Sequence, residues 1–362
     1  IQYIFSFSNE RFFFPGVHHS FKFTLLGAQK GPQTDGFWAA FRFNPRVAVR
    51  PDELPTFLAN QDNLIFMRRE LLEKFSPDSL SVMEFQSKRD YEVAEKLYGN
   101  GTLLGENTDS LWRVELNREF DFANDRELLN QSKQGVPFYE GKMIHQYDAF
   151  YASPQFWISA DNIETLSDNL KQQLKTYRVV HRRIARSTDE RTLISAIVPI
   201  DSACENNATT VLIRGSQTEP IKLYVCAVFN SLVLDYVLRS KVSTTLNMFY
   251  LYSLPVPRLT AGNPFFDALV PRAARLTCTR AEFAALWQEV MGSAWDESKG
   301  ATTPAERQTL RDEIDALVAQ LYGLSRDEFA HILSTFPLVF PDTPEGQAKR
   351  EALLATYERV KP

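Results

Sequence analysis

Two stretches of this chain hold residues whose types and spacing suit chemistry. Residues 171–191 carry Lys171, Lys175, Arg178, Arg182, Arg183, Arg186 and Arg191 against only Asp189 and Glu190, a local charge of +5 in a chain whose formal net charge is −5. The densest part is Arg178-Val179-Val180-His181-Arg182-Arg183-Ile184-Ala185-Arg186. Side chains alternate along a strand, so Val180, Arg182, Ile184 and Arg186 share one face and Val179, His181, Arg183 and Ala185 the other. Guanidinium groups on both faces need carboxylates or phosphates. Arginine straddles phosphate oxygens and pairs bidentately with guanine in the major groove, which is the chemistry of a reader of duplex DNA. The chain's 45 acidic side chains offer the other solution, a solvated strand of ion pairs.

The second stretch is Glu140-Gly141-Lys142, with Asp125 upstream. Asp…Glu-x-Lys is the spacing by which many nucleases hold a divalent metal and position water. The plainer reading is a turn between two strands, with Gly141 supplying an unusual backbone and Lys142 in solvent. His145-Gln146 follow, and a glutamine amide offers the donor and acceptor pair that recognises adenine. The other histidines, His18, His19, His181 and His331, have no partner visible in the sequence. A glycine-rich phosphate loop, His-Glu-x-x-His, Gly-x-Ser-x-Gly and an EF-hand loop are all missing, so the common nucleotide, zinc and hydrolase readings lack support. Cys204, Cys226 and Cys278 are odd in number and far apart, which predicts reduced core residues and no zinc site.

The elements that must position these residues follow from composition and period. With 362 residues, 44% hydrophobic and 23% charged, the chain is long enough for two or three packed domains. An aromatic share of 12% favours β-rich structure. Short aromatic runs at Ile1–Phe7, Phe12–Phe14, Phe21–Leu26 and Phe37–Phe43, broken by Pro15-Gly16 and Gly31-Pro32, predict strands of one sheet. Helical spacing over 51–75 and 90–98 predicts a connector. Strands are predicted over 111–122, 136–147, 177–185 and 193–200, with helices over 162–174 and 221–238, up to the stop Leu254-Pro255-Val256-Pro257. The remainder is helical. Thr303-Pro304-Ala305-Glu306 is a capping box with Pro at the first helical position, and Ser325-Arg326-Asp327-Glu328 repeats the box after Gly323 ends the first helix.

The predicted fold class is therefore α+β, a mixed domain followed by a helical module. No window approaches the roughly 18 consecutive apolar residues of a membrane span, and no basic leader precedes Ile1. These features predict a cytoplasmic protein with no membrane partner. Because the sequence opens inside an aromatic run, it reads as a piece of a longer protein.

Several segments together resemble the carboxy-terminal portion of bacterial N6-adenine DNA methyltransferases, especially type IIG restriction-modification enzymes and related phage-defence methylases. They are Phe14-Pro15-Gly16-Val17-His18-His19-Ser20-Phe21-Lys22-Phe23 and Tyr139-Glu140-Gly141-Lys142-Met143-Ile144-His145-Gln146-Tyr147-Asp148, then residues 183–194 from Arg183-Ile184-Ala185-Arg186 onward. Asn230-Ser231-Leu232-Val233-Leu234-Asp235-Tyr236, the Leu254–Pro257 stop and Leu321-Tyr322-Gly323-Leu324 complete the series in order. The resemblance implies that residues 1–45 end a methyltransferase sheet, 46–109 form a helical connector, 110–258 form the target-recognition domain and 259–362 a helical module. It implies double-stranded DNA as partner, contacted by Lys142, His145, Gln146, Arg178, His181, Arg182, Arg183, Arg186 and Arg191. The family's Asn-Pro-Pro-Tyr and its glycine-rich S-adenosylmethionine motif do not occur here; Asn44-Pro45-Arg46 and Asn263-Pro264-Phe265 share two letters with the former. The chain is accordingly expected to lack a catalytic centre and a cofactor of its own, with S-adenosylmethionine bound by a methyltransferase region that precedes it. The competing readings are a metal-dependent nuclease using Asp125, Glu140 and Lys142, and a protein-interaction scaffold.

Overall fold

The first aromatic runs, Phe12–Phe14 excepted, form strands of one sheet. The computed structural model describes residues 1–42, 48–77, 82–106, 112–186, 189–242 and 244–362, in two units, Ile1–Gly99 and Asn100–Pro362. Phe43, Leu111, Asn44-Pro45-Arg46 and Ser187-Thr188, which figure in the sequence-based expectations, lie outside the described residues. In the first unit β1 (Tyr3–Ser8) runs antiparallel to β2 (Lys22–Gly27) and parallel to β3 (Gly36–Arg42), with Ser6 opposite both Thr24 and Phe41. Phe5, Phe7 and Ala40 point to a core shared with Phe23, Phe57 and Leu58. Phe12–Phe14, predicted as a strand, instead forms a turn. Phe12 is left-handed at φ 54°, and the Asn9 side chain bonds Phe14 N and the carbonyls of Phe14 and Val17.

The 51–75 stretch is not one helix. It divides into α1 (Leu54–Ala59), β4 (Ile65–Arg68), which pairs antiparallel with β3, and α2 (Arg69–Phe75). Ile65 and Met67 are buried while Phe66 is exposed, a period of two that overrides the helical spacing around it. The helix α3 (Lys88–Gly99) closes the unit, with Ser87 Oγ accepting from Asp90 N at 3.2 Å.

The second unit is a mixed domain followed by a largely helical module. Its strands are β5 (Thr102–Leu103), β6 (Trp112–Asn117), β7 (Leu129–Asn130), β8 (Val136–Tyr139), β9 (Phe156–Ile158), β10 (Arg178–Arg182), β11 (Ser195–Val198), β12 (Ala203–Cys204), β13 (Ala208–Gly215) and β14 (Pro255–Val256). One antiparallel sheet has the order β11-β10-β13-β6, so β10 is a central strand. A second has the order β12-β8-β9-β7, and β5 pairs with β14. The predicted 162–174 helix is two, α4 (Ala160–Glu164) and α5 (Asp168–Leu174), because Ser167 caps a new start. That second unit also closes on its own beginning: Asn100 Nδ2 donates to Tyr322 O at 2.9 Å, and Trp112 Nε1 to Leu259 O at 2.8 Å.

The predicted 221–238 helix breaks into α6 (Thr218–Phe229) and α7 (Leu232–Arg239), bent by 61°. Asn230 folds its amide back onto Cys226 O and Ser195 O, and Ser231 Oγ caps Leu234 N, so a new helix starts there. The pair has the composition of a bent span, but its side chains are buried in the protein, α6 against β10, β11 and β13 and α7 against α11 and α12. No single helix among the described residues is long and apolar enough to cross a membrane. Next come α8 (Met248–Tyr252), α9 (Pro264–Thr277), α10 (Ala284–Met291), α11 (Pro304–Leu321), α12 (Arg326–Ser334) and α13 (Pro344–Arg359). Thr303 caps Glu306 N, Ser325 and Glu328 form the reciprocal box, and Gly323 stops α11 at φ 66°.

Candidate nucleic-acid interface

β10 begins in the core and emerges at its end, and this gradient sorts its cations. Arg178 is buried. Its Nε lies 2.7 Å from Glu119 Oε1, its Nη1 donates to Gln173 O at 2.7 Å and Thr176 O at 2.6 Å, and its Nη2 donates to Ser202. His181 is also buried, with Nδ1 3.0 Å from Arg182 O and Nε2 without a hydrogen-bond partner among the described residues. Burial pushes its pKa down to about 4, so the ring is neutral at pH 7.

Arg191 pairs with the buried Asp235 at 2.9 Å and donates to Asn230 O. The same carbonyl accepts from the buried Gln146 Nε2 at 3.2 Å, so the amide expected to read adenine is used inside the protein. Four of the nine residues expected at a DNA surface, Arg178, His181, Arg191 and Gln146, thus turn inward. Arg178, Arg191 and Gln146 each find internal partners, since an uncompensated polar head there would cost more than an internal bond, while His181 is carried inward as a neutral ring on the central strand β10.

Past Arg182 the chain reaches solvent. Arg182 is half-buried, its Nε donating to Ile144 O at 2.8 Å and its guanidinium 5.7 Å from the ring of Tyr151. Tyr151 is 59% exposed and packs on His145 with ring centroids 4.9 Å apart. Burial first, then the charges of Arg182 and Arg311, lower the His145 pKa. Arg183 is half-buried, Ala185 turns inward, and Ile184 and Arg186 stand exposed.

The Glu140–Lys142 turn lies against this exit. Gly141 does not need a left-handed backbone; a Cβ there would lie 2.5 Å from Asn207 O, so glycine permits a close approach. That carbonyl accepts from Arg183 N at 3.0 Å, which ties the two basic segments together. Lys142 is exposed, with Nζ 2.9 Å from Glu140 Oε2 and 3.2 Å from Gln155 Oε1. Asp125 Oδ2 accepts from Asp121 N at 2.7 Å, and no ion pair joins Asp125 to Lys142 among the described residues. Among the described residues no group of three or more His, Cys, Asp or Glu is disposed to hold a metal ion, which argues against the nuclease alternative.

The loop after β10 is anchored by groups the sequence did not flag. Asp235 accepts from Thr192 N at 3.1 Å and Leu193 N at 3.3 Å, and Arg239 donates to Asp189 O and Glu190 O while lying over the Phe336 ring at 4.1 Å. The cations that reach this edge are Arg186, which is exposed, Lys142, which is exposed and paired with Glu140, and the half-buried Arg183, with His145, Tyr151 and Arg182 beside them.

No family model matches the chain, and no curated protein does. Among solved structures it is similar to the type IIG restriction endonuclease BpuSI, at 14% identity and a TM-score of 0.35, over 89% of this chain and 44% of that one. The chain thus spans less than half of that enzyme's length. A likeness this remote assigns neither a site nor an activity.

Proposed function

We propose that this chain binds double-stranded DNA and is the target-recognition part of an N6-adenine DNA methyltransferase of the restriction-modification kind, with the adenine-binding and S-adenosylmethionine motifs outside it. The observation that carries this reading is the exit of β10, where Arg183 and Arg186 emerge beside the Lys142 turn on a backbone held through Asn207. A backbone already held leaves only the side chains to be ordered when these cations meet phosphates, and phosphate contacts position a protein on duplex DNA. Arg182, Tyr151 and His145 add planar groups at the same edge. The order of the segments that resemble adenine methyltransferases supports the enzyme class.

The test is the salt dependence of binding to a duplex of random sequence. Replacing Lys142, Arg183 and Arg186 together by Ala should weaken binding, and each cation–phosphate pair removed should lower the slope of log affinity against log salt by roughly 0.9. A folded triple variant with the parent's affinity and slope would reduce the cluster to an ion-paired scaffold, the competing reading.

A further inference from the structure

We infer that Ile184 is an apolar wedge that enters the base stack of duplex DNA at a weak step. This deepens the DNA-binding reading and rests on it. A single exposed isoleucine is ordinary on a protein surface; what distinguishes this one is its setting. Ile184 is 61% exposed, between Arg183 and Arg186, while Ala185 beside it is only 4% exposed and anchors the segment.

The backbone that presents it is held from two sides. Arg183 N donates to Asn207 O at 3.0 Å, Leu246 N to Arg183 O at 2.8 Å and Ala185 N to Thr244 O at 3.3 Å, and Ile184 itself bridges antiparallel to Thr245. A β-branched side chain is stiff at χ1, so little freedom remains to be given up on insertion. Apolar side chains flanked by cations act on DNA in this way: the cations take the phosphates on either side while the wedge separates two bases. The ligand class is thus a duplex with an easily unstacked step, such as a pyrimidine–purine step or a mismatch.

The experiment compares the full 362-residue chain on two fluorescein-labelled duplexes of one length, fully paired or carrying a central mismatch. Because a mismatch has already given up much of its stacking, the parent should bind it about tenfold more tightly. Ile184→Ser should bring that ratio to about one, and Ile184→Leu should keep it. Replacing Lys142, Arg183 and Arg186 should weaken both duplexes and preserve the ratio. Equal binding of the two duplexes by the parent, or a preference that survives Ile184→Ser, overturns the wedge and leaves DNA binding standing. A parent that binds neither duplex overturns the DNA reading and the wedge with it. Circular dichroism of the serine variant confirms that the comparison is made on folded protein.

Discussion

Arg178 and Glu119 face each other at 2.7 Å with both side chains shut away from solvent. Glu119 also accepts from Cys204 N at 2.8 Å, so one carboxylate ties β10 to the strand that follows Ser202. Glu119→Ala leaves a buried guanidinium without its counter-charge and should cost about 3–5 kcal/mol in urea unfolding. Arg178→Met with Glu119→Leu should cost less than the sum of the two single replacements. An additive double variant would mean that the pair is not coupled.

Gly141→Ala tests the close approach under the basic edge. Its methyl group meets the Asn207 carbonyl, a backbone atom that cannot swing away, so the variant should lose about 1–3 kcal/mol by thermal unfolding. Because Asn207 O also holds Arg183 N, amide exchange at Arg183 should rise more than at Val179. Unchanged exchange at Arg183 would sever the proposed link.

Lys142→Ala and Glu140→Ala should act in opposite directions on duplex binding. The lysine offers a cation to phosphate, whereas the glutamate holds that lysine at 2.9 Å and competes with phosphate for it. Fluorescence anisotropy should show severalfold weaker binding for the first and equal or tighter binding for the second. Magnesium-dependent cleavage abolished by Glu140→Ala would restore the nuclease reading.

His181 should make the protein acid-labile within a defined window. Its folded pKa of about 4 lies below the ordinary 6.5, so below pH 6.5 the unfolded chain takes up a proton that the folded protein refuses. The contribution is complete above pH 6.5 and is lost as pH falls towards about 4, amounting to roughly 3 kcal/mol over the whole interval. The stability difference between the parent and His181→Gln should change by that order between pH 7 and pH 4.5. A difference independent of pH would show that the imidazole is accessible to protons in the folded state.

Much of the fold was readable because its signals are local. Short aromatic and apolar runs bounded by Pro and Gly mark β1, β2 and β3, and the caps at Thr303 and Ser325 lie within three residues of the groups they satisfy. The strand β13 escaped because Ala208 through Ile213 are all buried, so no alternation flags it and only its β-branched residues speak for a strand. In the candidate site, the run of arginines was visible but its division was not. Arg178 turns inward because Glu119 comes to it across the sheet, and Arg191 because Asp235 comes from α7; neither partner is near it in sequence. Tyr151 and Asn207 were missed for the same reason, since only tertiary structure brings them to Arg182 and Arg183.

The closure of the second unit on its own beginning has a consequence for how it is made. Thr102 and Leu103 pair with residues 255–256, Arg258 donates to Leu104 O at 2.6 Å, and Asn100 waits for Tyr322 O. Such distant pairings form late and slowly, because the loop must close before any pairing rewards it. In the first unit β1 to β4 pair among residues 3–68, so those contacts span less chain and reward pairing sooner. The second must remain open until residue 322 has left the ribosomal tunnel. During that interval α6 can already meet β10, β11 and β13, but α7 still lacks α11 and α12, and this is the stage at which a chaperone would find the chain.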